Sequence, residues 1–564
     1  MTARDWLQLI LYFALVLVCT PMLGGYMAKV YAGERTFLSP LLHPVETYSY
    51  RLLGVKASDE QTWKEYAAAV LVFHLLGFLF LFLLLLVQGS LPLNPAGMKN
   101  VEWTLAFNIA TSFVTNTNWQ SYTGETTLGY LTQMIGLTVQ NFASAAVGMA
   151  VLVALIRGIK RHSATTLGNF WADLLRGVLY ILLPLSLLLA LALVSQGVIQ
   201  NFSFPVSAHG LEDAVQVLPQ GPASSQVAIK QLGTNGGGFF NTNSVHPYEN
   251  PTPLSNLLEA LAILLIPAAL TNTYGRMIGS QRQGWTIFAA MFIVLILSLI
   301  GMLASEYTPN PVLSGAASTM EGKEVRLGIT NSVLWGAVTT AASNGSVNAM
   351  LSSFKPLAGG LAILNIMLGE VIFGGVGSGL YGMLLFVFLT AFIAGLMVGR
   401  TPEYLGKKIE AQEIQMAITA ILLPNACILL PAAAAVLLES GLTSRANLGP
   451  HGLTEVLYAF TSAAGNNGSA FAGLNANTPF YNLLLGACMW LGRLGVMLPV
   501  LAIAGSLVRK KYIPPSSGTL PTDTLLFAGM LIGVILIVGA LTFFPVLALG
   551  PVVEQLLVAA GRVY

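Results

Sequence analysis

The sequence predicts an all-α polytopic membrane protein with about ten transmembrane helices and four helix–pore-loop–helix repeats around one pore. Composition is the first observation behind this prediction. Of the 564 residues, 55% are hydrophobic and only 9% are charged, whereas a soluble domain carries about 25% charged residues. The second observation is a series of apolar runs long enough to cross a bilayer, and the third is a glycine- and asparagine-rich motif that recurs between them.

Ten apolar runs approach the roughly 20 residues that a spanning helix needs. We predict spans at 6–27, 66–88, 128–156, 172–195, 255–278, 285–304, 364–398, 414–438, 478–507 and 524–548. The first run exceeds the apolar core of a signal peptide, so we expect it to be retained. The run at 364–398 is too long for one span and contains the glycine-rich stretch Gly369–Gly379, so we expect a broken helix there.

The recurring motif follows a short, mildly apolar segment and precedes a long one each time. Aligned copies lie about 110–120 residues apart, a spacing that suits a multi-helix repeat, and they place in register Thr117-Asn118, Asn235-Gly236, Asn344-Gly345 and Asn467-Gly468. We therefore predict four repeats between two single helices. The predicted units are an N-terminal helix with an inner loop at 1–64, repeats at 65–162, 163–283, 284–412 and 413–512, and a C-terminal helix at 513–564.

The composition of the motif indicates a cation site built from neutral oxygen atoms. Glycine and asparagine accept left-handed backbone angles, so successive carbonyl oxygens can point one way. Inward carbonyls that replace water are how a potassium filter works, without carboxylates, and Asp and Glu are absent from the loop cores. The predicted filter residues are Thr115, Asn116, Thr117, Asn118, Gly233, Thr234, Asn235, Gly236, Gly237, Ser343, Asn344, Gly345, Gly465, Asn466, Asn467 and Gly468. A plain glycine-rich turn is the alternative, and each polar side chain has the alternative of a structural hydrogen bond.

The first copy of the motif differs from the other three. It has Asn118 where the others have glycine, and asparagine is the best substitute for glycine at a left-handed angle. We expect an asymmetric filter that still forms. Glu125 follows this copy closely and has two interpretations, attraction of cations at the pore mouth or a surface hydrogen bond.

Two ionisable residues are expected at membrane depth, where such groups are costly and usually functional. Arg493 lies in the ninth predicted span and Glu370 in the broken helix. Arg493 has two interpretations, repulsion of cations below the filter or pairing with loop carbonyls. Glu370 could attract a cation that leaves the filter or pair with a neighbouring subunit.

The distribution of basic residues predicts the orientation. Lysine and arginine follow the first, third, fifth, seventh and ninth predicted spans, so both termini should face outside and all four loops should enter from outside. The longer outer segments, 201–228 and 305–331, are expected to cap the pore mouth, with irregular structure at Phe202–Phe204. The inner segment Arg400–Glu413 is either a solvated loop or a docking surface.

Five segments of the chain resemble one known family. They are N-T-N-W-Q-S-Y-T-G-E at 116–125, G-T-N-G-G-G-F-F-N-T-N-S-V-H-P-Y-E-N-P-T at 233–252, G-E-V-I-F-G-G-V-G-S-G-L-Y-G-M at 369–383, G-R-T-P-E-Y-L-G-K-K-I at 399–409 and N-N-G-S-A-F-A-G-L at 466–474. They resemble the potassium-binding A subunits of the bacterial Kdp potassium-transporting ATPases, which belong to the potassium-transporter superfamily. The resemblance covers nearly the whole chain.

The resemblance implies a subunit of a pump in the bacterial inner membrane that does not itself hydrolyse ATP. It implies a P-type ATPase B subunit that uses ATP and magnesium, a C subunit and a small single-helix peptide as partners. The A subunit would select extracellular potassium and pass it through an intramembrane tunnel to the B subunit. Gln120 matches a residue at the filter mouth, and Glu370 with Gly374 and Gly375 matches the inner gate.

Two other classes fit the repeat pattern taken by itself. One is a stand-alone potassium channel or cation symporter, and the other is a scaffold with an inert vestibule. The sequence has no G-x-x-x-x-G-K-[ST] motif for nucleotide binding and no basic run that suggests nucleic acid. Either the ion runs downhill, or another chain supplies the energy.

Overall fold

The computed structural model describes residues 1–210, 215–313, 320–369, 371–397, 399, 401–514 and 519–562. Within these residues, ten helices are long and apolar enough to cross a membrane, and we number them spans 1 to 10. They are Ala3–Ala32, Trp63–Ser90, Thr132–Lys160, Phe170–Ser195, Pro253–Ile278, Gln281–Tyr307, Ser378–Met397, Ala411–Leu437, Pro479–Leu507 and Leu525–Ala559. The ten predicted spans are confirmed, and the largest differences are at the start of span 7, which lies 14 residues after the predicted start, and at the end of span 10, which lies 11 residues after the predicted end.

The predicted break in the seventh apolar run is present. A short helix, Pro356–Met367, ends before the glycine-rich stretch, and span 7 begins after it at Ser378. Four backbone positions in between have left-handed φ angles, at Gly369, Phe373, Gly374 and Gly377. Because such angles cannot continue a right-handed helix, the chain crosses this depth as an irregular segment.

Four shorter helices precede the four copies of the motif, and we call them pore helices 1 to 4. They are Trp103–Val114, Ala223–Leu232, Gly328–Ala341 and Gly449–Ala464. Each lies between two spans in the chain, so the order span, pore helix, loop, span occurs four times between spans 2 and 9. Spans 1 and 10 stand outside this pattern, as the sequence predicts.

The spans that follow the loops form the interior of the molecule. In spans 3, 5, 7 and 9, 83%, 72%, 72% and 50% of the most apolar stretch is buried, against 28%, 39%, 50% and 33% in spans 2, 4, 6 and 8. A helix that is apolar all round and mostly exposed suits contact with lipid. The helices after the loops therefore surround the site, and those before the loops form most of the outer wall.

Reciprocal caps fix the beginnings of several spans. Thr2 with Asp5 and Thr62 with Glu65 form capping boxes at spans 1 and 2, in which each side chain bonds to the other residue's backbone N–H. Gly33 follows the last residue of span 1, and Gly279 follows the last residue of span 5. Both glycines have left-handed φ angles. A left-handed glycine is a common way to close a helix.

The outer segments differ in part from the prediction. Phe202–Phe204 is irregular, as expected, but Val206–His209 and Val215–Leu218 pair as an antiparallel hairpin that the sequence did not indicate. The predicted cap at 201–228 is too long, because pore helix 2 already begins at Ala223. The cap predicted at 305–331 likewise shares its ends with span 6 and pore helix 3.

The inner segment after span 7 is not a fully solvated loop. Glu403–Tyr404 and Lys407–Lys408 form a short hairpin, and Tyr404 and Lys407 are buried. Lys407 Nζ donates to the carbonyls of Gly158 (2.8 Å) and Leu507 (2.6 Å), at the ends of spans 3 and 9. A cation at the carboxyl ends of two helices is favourable, so this hairpin packs onto the chain's own spans.

Candidate functional site

The four loops that follow the pore helices share one backbone conformation. We call 115–118, 233–237, 343–345 and 465–468 loops 1 to 4. The residue before each aligned pair has a left-handed φ angle, which is uncommon for residues other than glycine. These angles are 66° at Asn116, 50° at Thr234, 49° at Ser343 and 49° at Asn466.

The next residue of each loop repeats the same hydrogen bond. Its backbone N–H donates to the carbonyl five residues earlier, at the end of the pore helix. The four bonds are Thr117 to Ser112 (2.9 Å), Asn235 to Lys230 (2.7 Å), Asn344 to Thr339 (3.0 Å) and Asn467 to Ser462 (2.8 Å). Four segments of different sequence therefore adopt one turn, in the register that the alignment predicted.

Hydrogen bonds join the four loops into a closed ring. One bond links each loop to the next, and loop 4 returns to loop 1. The bonds are Asn116 Nδ2 to the Thr234 carbonyl (3.0 Å), Asn344 Nδ2 to the Asn235 carbonyl (3.4 Å), Ser343 Oγ to the Gly465 carbonyl (2.8 Å) and Asn466 Nδ2 to Thr117 Oγ1 (2.9 Å). The four loops thus form one site.

Close approach of neighbouring backbones explains the glycines. A Cβ atom at Gly236, Gly345 or Gly468 would lie 2.4, 2.0 or 2.1 Å from a carbonyl oxygen of the next loop, far inside van der Waals contact. Gly345 and Gly468 also have φ angles of 92° and 95°. In loop 1 the corresponding residue, Asn118, has a φ of 55° and donates Nδ2 to Asn141 Oδ1 (2.7 Å).

The polar side chains of the loops make structural hydrogen bonds. Thr115 Oγ1 contacts Thr117 Oγ1 (2.8 Å) within loop 1. Asn344 Oδ1 accepts the N–H of Ser346 (2.9 Å), and Asn467 Oδ1 accepts that of Ser469 (3.1 Å). These side chains fix the loops, while backbone carbonyls of neighbouring loops lie side by side.

A vestibule of about 630 Å³ opens beyond the ring and is lined by Asn118, Gly345 and Gly468 among others. Gln120 lines it as well and is fixed by two bonds to one residue, with Nε2 donating to the Gly238 carbonyl and Oε1 accepting the Gly238 N–H, both at 3.0 Å. Glu125 accepts the N–H of Asn241 at 2.9 Å, and burial raises its pKa. Of its two interpretations, this geometry matches the hydrogen bond.

The irregular segment before span 7 lies against the ring. The N–H of Val376 donates to Thr234 Oγ1 (2.9 Å), and the N–H of Gly374 donates to the Ala341 carbonyl (3.1 Å) at the end of pore helix 3. The Gly375 carbonyl accepts the Gly379 N–H (3.0 Å) and so begins span 7. Glu370 lies outside the described residues.

Arg493 is buried near the same segment. Its Nη2 donates to the carbonyl of Ser144 (3.0 Å), whose Oγ in turn donates to Asn116 Oδ1 (2.7 Å) in loop 1. Nη2 would also lie 3.3 Å from a Cβ at Gly148, one turn further along span 3. The residue therefore contacts a helix carbonyl beside the ring, and its Nε has no hydrogen-bond partner within the described residues.

Sequence reasoning missed a charged cluster behind loop 2. The cluster consists of Lys230 in pore helix 2, Glu249 between loop 2 and span 5, and Glu259 in span 5. All three are completely buried, and Lys230 and Glu249 form an ion pair. Glu259 falls inside the predicted span 255–278 and adds an ionisable residue to the two that the sequence analysis singled out there. A glutamate in an apolar run and a lysine three residues before the glycines were the available signals.

The arrangement as a whole suits a bare monovalent cation. The ring offers buried neutral oxygens, and its loop residues include no carboxylate to demand a divalent ion. A pore of four loops from one chain, surrounded by paired helices, defines a class of polytopic cation-transport proteins. The crystal structure of the potassium transporter TrkH from Vibrio parahaemolyticus has this fold, with a TM-score of 0.52 at 14% identity over 88% of this chain and 98% of that chain.

Sequence comparisons define the family. The family model described as potassium-transporting ATPase A subunit matches residues 10–556. The chain is 59% identical to a potassium-transporting ATPase potassium-binding subunit from Sorangium cellulosum over 99% of both chains, and 58% identical to one from Methylorubrum extorquens over 100% of this chain and 99% of that one. The chain belongs to the family of potassium-transporting ATPase A subunits.

Proposed function

We propose that this chain is the potassium-binding and translocating subunit of an ATP-driven potassium uptake pump. The observation that carries the proposal is the closed ring of four loops in a chain that belongs to this family. The chain is a transport subunit and not an enzyme by itself. A stand-alone potassium channel or cation symporter is not favoured, because the relatives are named as subunits of an ATPase.

The residues predicted from the sequence would have three roles: some would bind the ion, Gln120 would shape the mouth, and others would hold the loops in place. Loops 1 to 4 would replace the water of a potassium ion with backbone oxygens, and Gln120 would set the shape of the mouth through Gly238. Loop 2 carries the longest glycine run, and its contact with Asn118 of loop 1 leaves no space for a side chain at Gly237. The side chains of Asn116, Thr234, Ser343 and Asn466 would hold this geometry.

The path beyond the ring would turn sideways. The segment with Gly374, Gly375 and Val376 lies against loop 2, and Arg493 adds a buried positive charge beside it. A cation that has left the ring would meet this charge and the packed segment, and both would prevent straight passage. Glu370, next to this segment in the chain, would complete the gate toward a tunnel.

We assign the energy source to a partner chain. A P-type ATPase B subunit would bind ATP and magnesium, and a C subunit and a small single-helix peptide would complete the complex. The chain would lie in the bacterial inner membrane with both termini outside, as the lysines and arginines after the odd-numbered spans favour. The four repeats would run as predicted, over 65–162, 163–283, 284–412 and 413–512. Spans 2, 6 and 8 begin at Trp63, Gln281 and Ala411, two or three residues before the predicted boundaries.

The test uses the intact complex with Gly345→Ala and, as a matched control, Gly533→Ala in span 10. A Cβ at Gly345 would collide with the Asn467 carbonyl, whereas nothing lies within 4 Å of a Cβ at Gly533. We expect Gly345→Ala to raise the KM for potassium in ATP hydrolysis by about a hundredfold or more, and the control to leave it unchanged. An unchanged KM in both variants would contradict the proposal.

A second experiment separates the pump subunit from a channel. The purified chain alone is reconstituted into liposomes, and potassium flux down a gradient is measured. We expect no sustained flux without the partner subunits. Sustained flux would favour the stand-alone channel.

A further inference from the structure

A group of three charged side chains lies directly behind loop 2, and we call Lys230, Glu249 and Glu259 the buried ionic cluster. All three are fully buried. Lys230 and Glu249 are ion-paired, and Lys230 Nζ also donates to Asn243 Oδ1 (3.0 Å). Burying charges is expensive unless they are paired and hydrogen-bonded, so a cluster at this depth calls for a role.

The charges of the cluster do not cancel when all three side chains are ionised. Two carboxylates face one ammonium group, and each carboxylate keeps one oxygen, Glu249 Oε2 and Glu259 Oε1, without a hydrogen-bond partner within the described residues. The nearby cation Arg326 pairs with Glu324 at 3.3 Å and bonds to backbone carbonyls. With its side chains ionised, the cluster carries one net negative charge.

The available hydrogen bonds cannot compensate both carboxylates. Ser244 Oγ lies 2.9 Å from Glu259 Oε2 and 3.3 Å from Glu249 Oε1, and it has a single proton to donate. Gln231 Nε2 donates to Glu259 Oε2 (2.9 Å). These bonds come from neutral groups, so they order the two carboxylates without adding a second positive charge to the cluster.

The cluster touches the ring through backbone. A Cβ at Gly238, which follows loop 2, would lie 2.7 Å from Lys230 Nζ and 3.2 Å from both Glu249 carboxylate oxygens. The Lys230 carbonyl accepts the N–H of Asn235 (2.7 Å) and Nδ2 of Asn344 (3.1 Å). The charges therefore lie beside the peptide groups of loop 2, with no space between them for bulk water.

We propose that the buried ionic cluster sets the potassium affinity of the ring by placing one uncompensated negative charge behind loop 2. The inference rests on the proposed function and deepens it. A fixed charge in a low-dielectric region attracts a cation without touching it. The neutral oxygens of the loops would select potassium by replacing its water shell. The charge of the cluster would raise the affinity of the ring for the ion.

Two isosteric variants test the charge. Glu259→Gln and Glu249→Gln each bring the net charge of the cluster to zero at a different position. Each should raise the KM for potassium in ATP hydrolysis by the intact complex on the order of tenfold, the effect of a unit charge over roughly 10 Å at an effective dielectric constant of about 20. The kcat at saturating potassium should stay within about twofold of the parent value, since the charge acts on binding.

Two further variants distinguish the charge from the packing. Glu259→Asp keeps the charge and should hold the KM within about threefold of the parent value. Asp173→Asn breaks another buried ion pair, with Arg157 (2.8 Å), between spans 3 and 4, and should lower the melting temperature while leaving the KM unchanged. Assembly of every variant is checked by size-exclusion chromatography, and the two glutamine variants replace one another if one fails to assemble.

The outcomes decide the proposal. Equal KM values for Glu259→Asp and Glu259→Gln would overturn it, as would glutamine variants that behave like Asp173→Asn. A KM raised together with a large loss of kcat would assign the cluster a purely structural role and also overturn it. Failure of Gly345→Ala to change the KM would instead contradict the proposed function, so the two failures are distinguishable.

Discussion

Loops 3 and 4 have a local brace that loops 1 and 2 lack within the described residues. Loops 3 and 4 continue as N-G-S, and the asparagine side chain of each accepts the serine N–H. In loop 1, Asn118 bonds to Asn141 of span 3, and in loop 2, Asn235 Nδ2 donates to Ser144 Oγ (3.2 Å) of the same span. Loops 3 and 4 also contact other elements, with Asn344 Nδ2 donating to the Lys230 carbonyl (3.1 Å) and Asn467 Nδ2 to the Thr339 carbonyl (3.0 Å). The local brace therefore adds to these contacts in loops 3 and 4, whereas in loops 1 and 2 span 3 takes its place.

The largest expected effect is at Gly468, the glycine of loop 4. Gly468→Ala would place a Cβ 2.1 Å from the Thr117 carbonyl oxygen at a left-handed φ of 95°. We expect the KM for potassium to rise by about a hundredfold or more, because loops 1 and 4 cannot move apart without breaking the hydrogen bonds of the ring. ATP hydrolysis of the intact complex measures this, with Gly529→Ala, which meets nothing within 4 Å, as the control. A mild effect would mean that loop 4 is looser than its contacts indicate.

The corresponding residue of loop 1 should be far more tolerant. Asn118→Gly keeps the left-handed angle accessible and removes the bond to Asn141. The KM should rise by about tenfold at most, in line with roughly 1 kcal/mol for a lost hydrogen bond. The same potassium titration checks it. An effect as large as that of Gly468→Ala would remove the distinction between the two loops.

A pair of serines compares remote with local bracing. Ser144→Ala removes the hydroxyl that joins Asn116 of loop 1 to Asn235 of loop 2, and we expect the KM to rise about three- to tenfold. Ser469→Ala removes the hydroxyl that bonds to Asn467 Oδ1 and contacts the Tyr458 hydroxyl (2.7 Å), but it keeps the backbone N–H that braces the same Asn467 oxygen, so the KM should rise by less than about threefold. Potassium titrations of both variants side by side decide between them, and the reverse order would contradict the comparison.

The smallest effect concerns a histidine–glutamate pair at the start of pore helix 4. His451, at the start of pore helix 4, bonds to Glu554 through Nδ1 (2.9 Å) and stacks on Phe471, which lines the vestibule. The bond to Glu554 raises the pKa of His451 above its ordinary value of about 6.5. The stabilisation is therefore complete below about pH 6.5 and is lost as the pH rises through the higher pKa of the folded protein.

Thermal unfolding at several pH values measures this contribution. The melting temperature of the parent protein should fall slightly across that window, by an amount that corresponds to about 1 kcal/mol or less. His451→Gln should remove this part of the pH dependence without altering the KM for potassium. A variant with the parent's pH dependence would show that the pair contributes nothing to stability.

The order of the spans and loops was predictable from the sequence because it depends on the lengths of the apolar runs and on the repetition of one motif. Ten apolar runs and one motif in four copies determine the spans, the break before Ser378 and the register of the loops. The left-handed angles at Asn116, Thr234, Ser343 and Asn466 were not predicted, because the sequence has asparagine, threonine and serine there and not glycine. Glycine was informative because close backbone approach excludes every other residue.

Features that depend on pairing between distant residues were not predictable. The strands Val206–His209 and Val215–Leu218 are only four residues long and mostly exposed, so they are defined by their pairing with one another and not by an apolar face that a longer sequence pattern would indicate. Lys407 looks like part of a solvated charged segment, yet it is buried against the carbonyls of Gly158 and Leu507. The buried ionic cluster brings together three residues whose charges, considered one by one, suggest separate solvated groups.

The closed ring comes from a single polypeptide, and this has a consequence for how such a pore can evolve. In a channel assembled from four identical subunits, any substitution enters all four quarters at once. Here a codon changes one quarter only, so loop 1 can carry Asn118 while the other three loops carry glycine. A ring made from one chain can therefore differ from side to side, which four identical subunits cannot do.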